Sequence, residues 1–279
     1  ILLYFPSTGN FLDPIDITNR YPFVNPHYAG TKGLFLKSTS LGDFKTAIAT
    51  FDTIPLQPYE KNSTNIYVAV KFNKDMDSLQ MHYKEDWSGY SAAAYRPAYN
   101  FLPKDKQDEL SNEILKGAGY TDNITNTKVE NVAMTDGFKN LPLTLSADMV
   151  TAGLTENAGK KIIVKIGEMI GQQVQLYQEK KRQLPVLMDY PHSEDREIKF
   201  TIPEGYTITN LYEINMEVTD KEQSMGFISS YKLNGSLLTI TIHEFYKSIA
   251  YPVSRFEEFR KVINASADFN KVVLVVEKN

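Results

Sequence analysis

The feature that most constrains this chain is a repeated alternation of apolar and polar residues with a period of two. Ile66, Val68, Val70 and Phe72 fall on one side of a run, and after the turn-forming stretch Asn73–Ser78 the residues Leu79, Met81 and Tyr83 alternate with Gln80, His82 and Lys84. Every second side chain of an extended strand points the same way, so two such runs joined by a polar turn read as a hairpin. Ile198, Phe200 and Ile202 alternate with Glu197, Lys199 and Thr201 and stop at Pro203-Glu204-Gly205, where glycine suits the positive φ of a type II turn. Asn234-Gly235, the strongest short hairpin signal, precedes Leu238, Ile240 and Ile242 alternating with Thr239, Thr241 and His243. Further strands are expected within 126–134, 141–150, 160–167, 172–178 and 271–278.

Two stretches break this rhythm with helical spacing. Residues 104–119 place Leu110, Ile114 and Ala118 four apart and end in Gly117 and Gly119. Residues 254–269 open with Ser254 and Glu257 at capping-box spacing and carry Phe256, Phe259 and Ile263 as an apolar stripe. Residues 90–102 are undecided, because three consecutive alanines favour helix while Pro97 disfavours helical geometry at Arg96. Seventeen Tyr and fifteen Phe lean the same way as the alternation, since aromatics suit a pleated, half-buried surface. The expected class is mainly β: antiparallel, sandwich-like layers with two or three short helices.

A length of 279 residues allows one large or two ordinary domains. Turn formers cluster at 150–160, which predicts a β-rich subdomain with a helical insertion over 31–152 and a second β-sandwich-like subdomain with a capped helix over 153–279. A net charge of −4 argues against nucleic acid and anionic membrane surfaces as general partners, because both need a clustered positive face. With no cysteine the chain has no disulfide, thiolate nucleophile or thiolate metal site. No run approaches the roughly 18 apolar residues of a membrane-spanning helix.

No catalytic motif stands out. His27 lies among prolines, His82 and His243 fall on polar strand faces, and His192 sits with Glu194 and Asp195 in 190–195 without a second histidine at ligand spacing, so no metal or other cofactor is expected. Residues 82–87 offer His82, Glu85 and Asp86, of which His82 and Asp86 would share a strand face, most simply as an exposed strand end. The aromatics Trp87, Tyr90, Tyr95 and Tyr99 are the candidates for a stacking platform in a carbohydrate- or protein-binding module, against ordinary core packing. Asn62, Asn123, Asn234 and Asn264 fit the glycosylation sequon. Asp13 before Pro14 reads as a turn initiator.

The stretch YFPSTGNFLDPIDITNRYPFVNPHYAGTKGLFL, residues 4–36, resembles the end of the transglutaminase-like core of large bacterial envelope proteins abundant in Bacteroidetes, in which a strand after the catalytic histidine leads through a turn into an LDP segment. Downstream stretches, among them 65–96, 182–206 and 234–263, resemble the β-rich regions of unknown function that flank that core. The resemblance implies that residues 1–30 are the C-terminal remnant of such a core and that Asp13 is the residue orienting a catalytic histidine, beside a cysteine nucleophile. Neither partner is present here: there is no cysteine, and the first histidine, His27, follows Asp13. The expectation is therefore a chain that starts downstream of the catalytic histidine and is not itself an enzyme. It would be an accessory or interaction region of a transglutaminase-like, protease-like protein, extracytoplasmic and periplasmic or envelope-associated, with the upstream core of the same polypeptide as its partner. The alternatives are a stand-alone carbohydrate- or protein-binding β-sandwich and an independent hydrolase using acidic residues.

Overall fold

The computed structural model describes residues 1–16, 18–19 and 21–279. In chain order the strands and α-helices are β1 (Leu3–Phe5), β2 (Asn10–Leu12), β3 (Lys32–Leu41), β4 (Phe44–Thr53), β5 (Ser63–Phe72), β6 (Leu79–Trp87), α1 (Gly89–Phe101), α2 (Lys104–Gly119), β7 (Ile124–Glu130), β8 (Leu143–Thr151), β9 (Thr155–Ala158), β10 (Lys161–Val164), β11 (Val186–Leu187), β12 (His192–Thr201), β13 (Tyr206–Ile208), β14 (Met216–Thr219), β15 (Met225–Asn234), β16 (Leu237–Tyr246), β17 (Ala250–Tyr251), α3 (Phe256–Phe269) and β18 (Leu274–Lys278). The class is mainly β, with several antiparallel sheets and few helices. No helix among the described residues is long and apolar enough to cross a membrane.

The centre is one eight-stranded sheet in the order β14-β15-β16-β12-β5-β6-β8-β7. Its pairings are antiparallel except for β12 against β5, a parallel ladder from Ser193↔Ser63 to Thr201↔Lys71. A four-stranded sheet, β13-β18-β10-β9, shares the same core. Strands from both sides of the expected 152/153 boundary are therefore hydrogen-bonded neighbours in one sheet, and their apolar faces merge into one buried cluster. The turn-rich segment near 150 is the connection into the β9–β10 hairpin rather than a gap between two cores.

The alternation read from sequence decides which face is covered. Val68, Met81, Ile198, Phe200, Leu238 and Ile240 all point to the face under the helices, with relative exposures of 0–3%. On that face α1 and α2 lie against β5, β7 and β8, and α3 lies against β14 and β15. The other face carries charged and polar side chains in pairs such as His82 with Asp148 at 2.7 Å and His243 with Asp195 at 2.5 Å.

One undecided stretch is resolved, and two local expectations need correction. Residues 90–101 are helical through Pro97, because Ala92, Arg96 and Tyr99 bury on one side and Arg96 is anchored by Asn131 O and Leu141 O. These tertiary contacts outweigh the bias against helix at the residue before proline. Residues 172–178 form no strand; this segment is tied instead to α3, with Leu176 N–H donating to Asn264 Oδ1 at 2.7 Å and Asn264 Nδ2 donating back to Leu176 O. Ser254 does not cap α3, whose first turn follows directly from a 3-10 turn over Val253–Arg255, and Glu257 pairs with Arg260. The long β3–β4 hairpin was not legible in the alternation, since its apolar residues fall on both faces.

Asn62 ties β5, α1 and β12 together at the start of the parallel pair. Its fully buried side chain donates to Pro191 O at 2.9 Å and accepts from Tyr90 N–H at 3.1 Å. Gly89 lies directly beneath: its φ is +58°, and a Cβ there would sit 2.2 Å from Lys61 O and 2.3 Å from Asn62 Oδ1. The sequon at Asn62 thus belongs to an internal hydrogen-bond junction. Replacing Asn62 by Ala strands a buried amide and a buried carbonyl, for an expected loss of about 2–4 kcal/mol. Asn112→Ala on the exposed side of α2 should stay within about 0.5 kcal/mol. Urea unfolding of the two variants checks both figures.

Candidate functional site

The covered face of the sheet is apolar along most of its length and changes character at one end. Across β6, β5, β12 and β16, the level Met81, Val70, Phe200, Leu238 gives way two levels on to Glu85, Ile66, Arg196, Ile242, and then to Trp87, Thr64, Glu194, Glu244. These levels open into a cleft of about 730 Å³ between the α1–α2 pair and residues 170–173. Its lining includes Ser91 and Tyr95 of α1, Glu113 of α2, Gln172, Gln173 and Tyr190.

The charged groups at the base are held in a definite order. Arg196 is 3% exposed; its Nη1 donates to Glu244 Oε2 at 2.8 Å and its Nη2 donates to Glu194. Tyr246 O–H donates to the other Glu244 oxygen at 2.8 Å, and Tyr83 O–H donates to Glu85 Oε2 at 2.8 Å. Arg196 Nε is buried without a hydrogen-bond partner.

Burial pushes the Glu85 carboxyl up to about 7, with Glu194 adding to the shift while Tyr83 and Arg196 oppose it. Burial also raises Glu194, against the pull of Arg196. Burial alone would weaken the Arg196 charge, but Glu194 and Glu244 hold it above the ordinary guanidinium value. The cleft thus combines a neutralised guanidinium, a surplus of carboxyl groups and an aromatic wall. Chemically it can hold a proton near neutrality, accept hydrogen bonds from a ligand and stabilise positive charge.

The residues singled out from sequence are dispersed. Asp13 is buried at the end of β2, and its Oδ1 accepts from Ile15 N–H at 3.1 Å, which is the turn role expected of an aspartate before proline. His27 lies in the 3-10 turn Pro26–Tyr28. Trp87, Tyr90, Tyr95 and Tyr99 do not form an exposed platform, because Trp87, Tyr90 and Tyr99 are buried at 3%, 4% and 6%. Trp87 and Tyr95 meet at 4.8 Å between ring centroids and line the cleft. Tyr90 donates to Val24 O, and burial raises it to about 12, while Tyr99 bonds Ser111 inside the α1–α2 pair. His82 pairs with Asp148 rather than Asp86, which accepts from Thr144 and Lys84. Glu194 faces the cleft whereas Asp195 lies on the opposite face with His243. Among the described residues there is no cluster of three or more His, Cys, Asp or Glu that could hold a metal ion.

Arg196 and Glu244 were missed, and Glu85 and Glu194 were read only as parts of an exposed strand end and an acidic loop, although a signal for each was present. Glu85 continues the parity of Met81 and Tyr83, Glu194 and Arg196 that of Ile198 and Phe200, and Glu244 that of Leu238, Ile240 and Ile242. A charge on the apolar register of a strand marks either a strand end or a buried polar site, and only packing separates the two.

Two outcomes test this electrostatic arrangement. Glu85 has its folded pKa above the unfolded value, so the stability it contributes is complete below about pH 4.5 and is lost as pH rises through about 7. Glu85→Gln should flatten that dependence and be more stable than the parent at pH 8, by up to about 3 kcal/mol, read by denaturant midpoints at pH 5 and pH 8. Arg196→Ala leaves Glu194 and Glu244 without their cation and should cost about 3–5 kcal/mol at neutral pH, measured in the same way.

A family model described as a domain of unknown function with a solved structure, DUF3858, matches residues 161–276. The match runs from β10 into β18 and includes Glu194, Arg196 and Glu244, whereas Glu85, Trp87 and Tyr95 precede it. The cleft is therefore assembled from the matched region and from the segment before it. No curated protein matches the chain.

Proposed function

We propose that this chain is the non-catalytic, interaction-bearing region of a transglutaminase-like envelope protein, acting outside the cytoplasm. The observation that carries the reading is the β3–β4 ribbon. Leu34, Leu36 and Phe51 lie together on one of its faces with Ala47 and Ala49 and are 54%, 67% and 80% exposed. Among the described residues the ribbon pairs with no other strand. A two-stranded ribbon is marginal by itself in water, and contiguous exposed apolar surface with open strand edges marks a place where another chain segment docks.

On this reading the ribbon and the small cluster beneath it, Phe11, Val24 and Ile54 with Leu2 and Phe35, form the joint between the eight-stranded sheet and a transglutaminase-like core of the same polypeptide. Asp13, buried at the end of β2, would orient the histidine of that core. An orienting carboxylate without nucleophile and base accelerates nothing, so the isolated chain should show no amidase, peptidase or acyl-transfer turnover. A second reading, a ligand-binding module, is favoured by the cleft beside Trp87.

Hydrogen exchange tests the docking role. Backbone amides of residues 32–53 should exchange rapidly in the isolated chain and at least about tenfold more slowly in a polypeptide that also carries the transglutaminase-like core. Leu36→Lys combined with Phe51→Lys should remove that added protection while leaving exchange in β5, β6, β12 and β16 unchanged. Equal protection of the ribbon with and without the core would overturn the proposal.

A further inference from the structure

We infer that the cleft between α1–α2 and residues 170–173 is a binding site for a small organic cation, an alkylammonium group on a scaffold that also offers a carbonyl or hydroxyl oxygen. Three features converge on this chemistry. The first is the space itself: about 730 Å³ lies within the range of small-molecule pockets, and it opens over a continuous sheet between the α1–α2 pair and residues 170–173.

The second is charge. Glu194 and Glu244 share one guanidinium, and Glu85 adds a third carboxyl whose recorded hydrogen bond is to Tyr83. Further acidic and neutral groups, Glu113 and Gln172, line the same cleft. A cation entering this space replaces the proton that otherwise relieves the buried carboxyls. The aromatic wall of Trp87, Tyr95 and Tyr190 can cover an alkyl stem or face the charge through its π surface.

The third is the unpartnered donor. Arg196 is 3% exposed, lines the cleft and has both terminal nitrogens engaged, yet its Nε–H has no acceptor. A buried donor left unpaired costs about 1–3 kcal/mol; Nε is covered by its neighbours, so a ligand oxygen removes that cost only when a small shift of the Arg196 side chain turns Nε–H to the cleft. A ligand bearing both groups answers the surplus of negative charge and the missing acceptor together. A simple monovalent ion answers only the first.

Trp87 is the single tryptophan of the chain and stands in the cleft wall, so its fluorescence reports occupancy directly. The test uses the whole chain with three probes: Nα-acetyl-lysine methylamide, its Nε-acetylated neutral counterpart, and 5-aminopentanol. Binding is followed by Trp87 emission and, independently, by calorimetry. The charged lysine derivative should bind at least about tenfold more tightly than its neutral counterpart, a difference of about 1.4 kcal/mol. Comparable binding of 5-aminopentanol assigns the site to alkylammonium compounds with any oxygen acceptor, and much weaker binding narrows it to lysine-bearing peptides; either supports the inference.

The groups that face Glu85 are Tyr83 and Trp87 from its own strand, Glu194 and Arg196 from β12, and Tyr95 and Tyr99 from α1, with Glu113 of α2 on the same cleft. Because Glu85 must be ionised to face the cation, affinity for the charged lysine probe should rise roughly tenfold from pH 6 to pH 8. Glu85→Gln, which keeps an acceptor for Tyr83, should abolish that rise and bind at pH 8 no better than the parent does at pH 6. The parent protein's own pH profile stands even if the variant misfolds. Absence of binding by every probe up to about 10 mM, equal affinity for charged and neutral lysine derivatives, or a flat pH profile in the parent protein would each overturn the inference.

Discussion

The parallel contact between β5 and β12 is the interaction on which the rest of the molecule depends. Nine register positions, from Ser193↔Ser63 to Thr201↔Lys71, join strands more than a hundred residues apart in the chain. On one side of the seam β6, β8 and β7 follow as local antiparallel pairings, and on the other β16, β15 and β14 do the same. Each half is thus a run of strands that could form from short-range contacts, and the seam converts two such runs into one sheet with one core. Bringing distant strands together carries a loop-closure cost that the apolar ladder Val68/Ile198 and Val70/Phe200, roofed by helices, must offset. The Asn62 junction at the mouth of the seam holds β5, α1 and the entry to β12 with the same side chain, so seam and helical roof are positioned together.

The cleft follows from the same geometry. A sheet eight strands wide is broader than one helix pair can cover, and α1–α2 and α3 settle over opposite halves. On the middle strands, at the end of the seam, the chain places Glu85, Glu194, Arg196 and Glu244 on the covered face. Burying charges in this way is costly, and a well-packed apolar set would be at least as stable. The arrangement lowers that cost by sharing one guanidinium between two carboxylates, by tyrosine hydroxyl donors and by keeping Glu85 protonatable near neutrality. What this polar set contributes in return is a chemically distinct surface inside an otherwise apolar core.

Much of the fold was legible along the chain because a strand's side-chain period is strictly local. The hairpin of Ile66–Tyr83, the Asn234-Gly235 turn and the helix of Leu110, Ile114 and Ala118 needed no partner to be recognised. The undecided and misread stretches are those where distant groups decide the local state. Arg96 is helical before a proline because Asn131 and Leu141 hold its guanidinium, and residues 172–178 form no strand where Asn264 of α3 takes the backbone groups of Leu176. The candidate site was the least legible part. Its members are ordinary Glu, Arg and Tyr residues scattered from 83 to 246, and no spacing rule links them.

By itself, then, the sequence determined the strand-rich class, the two faces of each strand and the absence of thiol chemistry, since composition and a two-residue period need only neighbours along the chain. It also determined that Asp13 ends a strand at a turn, a role the carboxylate performs within two residues. The tertiary structure alone decided that the halves share one sheet, that Trp87 and Tyr95 wall a cleft while Tyr90 and Tyr99 fill the core, and that the charges on the apolar registers of β6, β12 and β16 meet. The reason is physical: register along a strand is local information, whereas which strands lie side by side depends on burial and pairing across the whole chain.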